Sequence, residues 1–210
     1  MMGLKLYFVV LVFIGYVSGH GMMLDPVNRA SRWREDKTAP ANYDDNGLYC
    51  GGYAVQWSAY AGKCGLCGDS YGDQVPRAHE LGGTYGQGTI VKKYNAGQEI
   101  NVSVKVTQNH KGKFIFELCD LDSRKSESEE CFKANQLKLK SGESEYYLNS
   151  DDSKVYNATL VLPSNVKCKH CVLRWTYLTA NSWGTCDDGT GAIGCGPQEQ
   201  FKNCADVAIN

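Results

Sequence analysis

The chain has 210 residues, with 22 Lys and Arg against 23 Asp and Glu and a net charge of −1. It therefore lacks the basic excess that holds nucleic acid or an anionic membrane surface. Ten cysteines and a 42% hydrophobic share suit a disulfide-stapled domain with a real core, not a disordered or fibrous chain.

The first predicted element is a targeting pattern. Lys5 precedes an apolar run from Leu6 to Val17, and Val17 and Gly19 stand at the −3 and −1 positions of a cleavage site. That run is shorter than the about 20 residues needed to span a bilayer. Residues 1–19 are thus predicted to be a signal peptide, and residues 20–210 a single secreted domain. No hydrophobic tail follows Cys204, so no membrane anchor is expected, and the protein is expected to be a monomer. Cleavage would make His20 the first residue. An N-terminal histidine offers one metal ion two nitrogens, its α-amine and its ring Nδ1, which no internal histidine can do.

All ten cysteines lie beyond residue 19: Cys50, Cys64, Cys67, Cys119, Cys131, Cys168, Cys171, Cys186, Cys195 and Cys204. An even count behind a secretory signal predicts up to five disulfides, with connectivity left open. Two sequons, at Asn101 and Asn157, permit glycosylation in that setting.

From His20 to about Thr84 the sequence reads as irregular, with Pro26 fixing an extended turn. A loop region of that length in a compact domain tends to be functional. Strict alternation begins at Ile100, Val102, Val104 and Val106, which predicts a strand with one buried face. Lys113–Cys119, Tyr156–Leu162, Cys171–Leu178 and a closing Cys204–Ile209 read as further strands. The charged stretch from Asp120 to Glu130 reads as a surface loop closed by Cys119 and Cys131. Short strands with almost no helical period predict an all-β antiparallel sandwich with long disulfide-linked loops.

Among the four histidines, His110 follows the Ile100–Val106 strand, at the end of a sandwich where function is usually carried. His20 amine, His20 ring and His110 ring would make a T-shaped nitrogen-only site. Such a donor set suits Cu(II) and can hold Cu(I).

Competing motifs fail on context. Gly68-Asp-Ser70-Tyr-Gly72 fits the nucleophile-elbow pattern, but a Cys-rich loop precedes it where a strand is required. His79-Glu80 begins a metalloprotease motif whose second histidine is replaced by Gly83. The Cys64-x-x-Cys67 and Cys168-x-x-Cys171 pairs are about 100 residues apart in a secreted chain, which favours disulfides over zinc.

The His20-Gly21 start, the Asn109-His110 turn, and the segment Gly194-Cys-Gly-Pro-Gln-Glu-Gln-Phe201-Lys-Asn-Cys204-Ala-Asp-Val207 together resemble the lytic polysaccharide monooxygenases. The cysteine-rich family 15 of insects and other invertebrates is the nearest in pattern, and the resemblance covers residues 20 to 210. It implies an immunoglobulin-like or fibronectin-like sandwich carrying copper on a histidine brace of His20 and His110. It further implies that Phe201 sits near the axial copper position and that Glu199 positions the oxygen species. Gln108 stands where related enzymes often have a small residue. The implied reaction is hydroxylation at C1 or C4 beside a glycosidic bond, with O₂ or H₂O₂ as co-substrate and an external electron donor. The implied substrate is an insoluble polysaccharide, chitin first and cellulose second. Trp33, Tyr43, Tyr49, Tyr53 and Trp57 are candidates for stacking on sugar rings. A secreted non-catalytic chitin-binding or copper-binding protein is the alternative on the same scaffold, and a disulfide-rich structural or defence protein is a third.

Overall fold

A computed structural model describes residues 20–210; the predicted signal peptide, 1–19, lies outside the described residues. In chain order the strands begin with β1 (His20–Asp25), β2 (Lys92–Tyr94), β3 (Glu99–Gln108) and β4 (Lys113–Asp120). Two short helices follow, α1 (Leu121–Arg124) and α2 (Glu129–Lys133). The rest are β5 (Lys138–Leu139), β6 (Glu145–Tyr147), β7 (Val155–Val161), β8 (Cys168–Leu178), β9 (Trp183–Thr185), β10 (Gly191–Ile193) and β11 (Gln200–Ile209).

They form two sheets and a hairpin. One sheet runs β1-β3-β7-β5, the other β2-β11-β8-β4-β6, and β9 pairs with β10. Every pairing among these strands is antiparallel except β2 with β11. The alternating residues of β3 (Ile100, Val102, Val104, Val106) share one buried cluster with Phe114 and Phe116 of β4, Trp175 and Tyr177 of β8, and Phe201 of β11. Burying such apolar surface between two sheets is the main stabilising term of a sandwich. The predicted architecture, an immunoglobulin-like β-sandwich with disulfide-linked loops, is the observed one.

Two sequence expectations need correction. His20–Asp25 is a strand, not an irregular segment. It carries no alternation because both faces are covered. Met23 lies in the core cluster, while Met22 accepts a contact from the Ser31 hydroxyl at 3.6 Å. The stretch from Asp120 to Glu130 is not only loop. Asp120 accepts from the N–H groups of Asp122 and Ser123 and caps α1, and Ser128 accepts from Cys131 N and caps α2.

The ten cysteines form five disulfides: Cys50–Cys64, Cys67–Cys204, Cys119–Cys131, Cys168–Cys171 and Cys186–Cys195. Both Cys-x-x-Cys pairs are thereby consumed as disulfides. Cys67–Cys204 ties the loop-rich first third to β11, as do a backbone bond from Arg29 N to Cys204 O (2.8 Å) and the Arg29–Asp206 ion pair (2.7 Å). The two sequons face one another across β3 and β7, Asn101 opposite Thr159 and Ser103 opposite Asn157.

Candidate metal centre

The register of β1 on β3 sets His20 opposite Gln108, two residues before His110. Backbone contacts hold that edge, since the Thr107 hydroxyl donates to His20 O (3.1 Å) and Gly21 N donates to Asn46 O (3.2 Å). Gly21 is needed for a steric reason. A Cβ there would lie 3.0 Å from the Trp175 ring, which is fully buried and cannot easily retreat.

His110 occupies the tight connection between β3 and β4. Lys111 and Gly112 both take left-handed backbone (φ +55° and +88°), and a Cβ on Gly112 would fall 2.1 Å from Leu178 O. The Asn109 amide pins the same loop by donating to Tyr156 Oη (2.7 Å) and Asp152 O (2.9 Å). His110 N donates to Tyr177 Oη (2.9 Å), and Ala180 N donates to His110 O (2.9 Å). The loop histidine is thus fixed at both backbone groups by β8 and the residues after it.

Burial, and then the nearby His20, push the His110 ring below the ordinary histidine range. Both effects favour the neutral imidazole, the form that can give a lone pair to a metal. Glu199 Oε2 lies 3.8 Å from His110 Nδ1. Phe201, fully buried at the start of β11, is stacked on Tyr177 at 5.8 Å and has its ring 6.5 Å from that of His20. Tyr49 stands edge-on to His20 at 6.4 Å and 6.0 Å from Phe201. Phe201 is therefore both a core residue and part of the aromatic floor beside His20. Gln108 is exposed.

The four predicted site residues converge, through β1, the β3–β4 loop and the start of β11. The predicted aromatics divide. Tyr43 is 85% exposed and Tyr53 is also open, whereas the Trp57 indole donates to Gln198 O (2.9 Å) and is held inward. Trp183 and Ile193, cross-strand partners on the β9–β10 hairpin, are exposed and were not foreseen. The Asp188-Gly189 turn between Cys186 and Cys195 is the sequence signal that marks such a hairpin. Asn181 and Tyr177, which touch His110, carried no signal of their own.

Among the described residues, three His, Cys, Asp or Glu atoms come within metal-binding reach only at Asp120, Cys168 and Cys171, and those two sulfurs are joined to each other. At the other end of the sandwich, His20 and His110 supply two imidazoles and no thiolate. That donor chemistry fits copper and leaves room for a third nitrogen from the His20 backbone.

Comparison with known proteins identifies the family. Residues 20–207 match the family model described as lytic polysaccharide mono-oxygenase, cellulose-degrading. The lytic polysaccharide monooxygenase AA15 from Thermobia domestica, solved in the Cu(I) state, is 42% identical. That match covers 90% of this chain and 98% of the other, with a TM-score of 0.87. The cellulose-active enzyme CelS2 in complex with copper is 15% identical over 91% of this chain and 99% of that one, with a TM-score of 0.44, too distant to carry weight. No curated protein matches. The chain belongs to the lytic polysaccharide monooxygenases, the copper-dependent oxidoreductases, within family AA15.

Proposed function

We propose that the protein is secreted, begins at His20 once residues 1–19 are removed, and oxidises crystalline chitin, with cellulose as a second substrate. His20 would hold copper through its α-amine and ring, and His110 through its ring. Copper, when bound, supplies the one-electron chemistry needed to break a strong C–H bond, with O₂ or H₂O₂ as co-substrate and an external electron donor. The protein's own groups do the rest. The β1–β3 register sets His20 opposite Gln108, two residues before His110, and the buried Phe201 ring would keep water from beneath the site. Glu199 would orient the oxygen co-substrate, and its carboxylate near His110 supports that role. Tyr43, Tyr53 and Trp183 are open to solvent and able to stack on sugar rings.

The observation that carries the reading is the pairing of His20 with Gln108, because it brings the residue at the predicted cleavage point beside His110. The test is copper titration of protein beginning at His20, beside a version with one added N-terminal alanine. Tight binding with a nitrogen-rich Cu(II) EPR spectrum is expected for the first and its collapse for the second. Incubation with chitin or cellulose and ascorbate then separates the substrates by the oxidised oligosaccharides released. Equal, weak copper binding by both versions would remove the amine as a ligand and the oxidative activity with it. Tight copper or chitin binding with no oxidised product would favour the non-catalytic protein instead.

A further inference from the structure

We propose that Asn157 carries an N-linked glycan whose first sugar closes the open edge of β7; this rests on the secretory reading above. β5 pairs with β7 only at Val161 and Leu160, with one further bond from Lys140 N to Thr159 O (2.8 Å). Among the described residues, no strand lies beyond Val155–Ala158 on that side. Successive residues of a strand turn their backbone groups to opposite neighbours. Thr159 O points toward β5, so Val155 and Asn157 present their N–H and C=O groups to the same, uncovered side. Such an edge is a template for pairing with another chain, and proteins cover or block it.

Asn157 stands at this edge with its amide already oriented. It is exposed and opens the sequon Asn157-Ala158-Thr159. Its carbonyl accepts from the Ser103 hydroxyl on β3 (2.7 Å). That turns Nδ2, the atom that takes the sugar, away from β3 and toward the open edge. Two depressions meet there, of about 400 Å³ and 380 Å³, and Asn157 and Tyr146 line both. Tyr147 and Lys154 help to line the first, Leu139 and Lys140 the second. Aromatic and aliphatic walls suit the apolar face of a sugar ring, and the lysines can donate to its hydroxyls. Asn101 is the contrast. Its carbonyl accepts from Thr159 on β7 (3.0 Å), so its Nδ2 turns the other way, toward β1.

In the transfer itself, Asn157 Nδ2 bonds to C1 of the first N-acetylglucosamine of a lipid-diphosphate oligosaccharide. The bond from C1 to the diphosphate oxygen breaks, the lipid diphosphate leaves with the electron pair, and the amide loses one proton. In the folded chain the Thr159 hydroxyl is engaged with Asn101. The transfer therefore belongs to the nascent chain, before β7 pairs with β3.

The test uses the full-length chain made in eukaryotic secretory cells and recovered from the medium. Peptide mass spectrometry reads both the N-terminus and the mass on Asn157. The expected protein starts at His20 and carries a glycan at Asn157. Trimming with an endoglycosidase that leaves a single N-acetylglucosamine should preserve NOE contacts from that sugar to the Tyr146 and Tyr147 rings. The trimmed protein should also stay monomeric by light scattering. Asn157→Gln should lose the glycan and self-associate as concentration rises, whereas Asn101→Gln should not. A processed protein with a bare Asn157 overturns the proposal and leaves the secretory reading standing. A protein that retains residues 1–19 overturns both. A sugar with no contact to either tyrosine, or an Asn157→Gln protein as monomeric as wild type, means that the glycan covers nothing and overturns the proposal as well.

Discussion

Gly21 is where the core reaches the candidate ligand beside it. Its missing side chain lets the Trp175 ring lie against β1, so His20 sits on a strand whose depth is set by an immovable aromatic. Gly21→Ala is expected to force a shift of a few tenths of an ångström there and to cost about 1–3 kcal/mol, as overpacking does. Urea denaturation checks the stability, and a matching loss of copper affinity would show that the strain is passed to His20. Tyr177 acts at the same scale. Tyr177→Phe would leave the buried His110 N–H without its acceptor, for about 1–3 kcal/mol. At this scale His20 and His110 were singled out by their own sequence contexts, a cleavage point and the end of a strand, whereas Glu199 and Phe201 were named only through the resemblance to the family. Asn181 and Tyr177 were legible in neither way. Their roles come from contacts across 71 and 67 residues of chain, and neither residue type is distinctive in its own segment.

Among the elements, β3, with one covered face, announced itself by alternation, and β8 and β11 by their apolar runs, whereas the short β1 carried neither signal. That is why the sequence disclosed the scaffold more fully than the strand that delivers His20. The helices α1 and α2 were hidden by their length, four and five residues, too short for a helical period to appear. Yet α2 has an energetic role. Its Glu129 accepts from the buried Arg174 of β8 (2.9 Å) and from Lys202 of β11 (3.1 Å). Burial alone would raise the Glu129 carboxyl, but the Arg174 hydrogen bonds and the two cations outweigh it and hold it down at about 2. A carboxyl held below its ordinary 4.5 stabilises the fold above that pH. The contribution is lost as pH falls from 4.5 toward 2. Glu129→Gln should therefore flatten the pH dependence of the urea midpoint in that window and leave a less stable protein at neutral pH.

For the molecule as a whole, the loop-rich third between β1 and β2 is attached more than it is folded. Its few regular turns are held by Cys50–Cys64, by Cys67–Cys204 and by Arg29. Arg29 forms a two-pronged pair with Asp206 (2.8 and 2.7 Å) and reaches Glu127 at 2.6 Å, all three side chains being buried. Arg29→Met is expected to strand two carboxylates away from water and lower stability by about 3–5 kcal/mol, read by thermal or urea unfolding. Replacing both Cys67 and Cys204 by alanine opens a loop of 137 residues. The expected loss is about 2–5 kcal/mol, with Tm falling accordingly.

The position of β11 sets an order in time. It is the last described strand to leave the ribosome, yet it lies between β2 and β8 and carries Phe201, Cys204 and Asp206. Until it emerges, the five-stranded sheet has a gap beside its longest strand, Cys67 has no partner, and Arg29 has only part of its counter-charge. A nascent chain halted before residue 200 should thus be soft to protease and exchange freely those β8 amides that pair with β11. Release of the remaining residues would close the sheet, the long disulfide and the aromatic floor beside His20 in a single event.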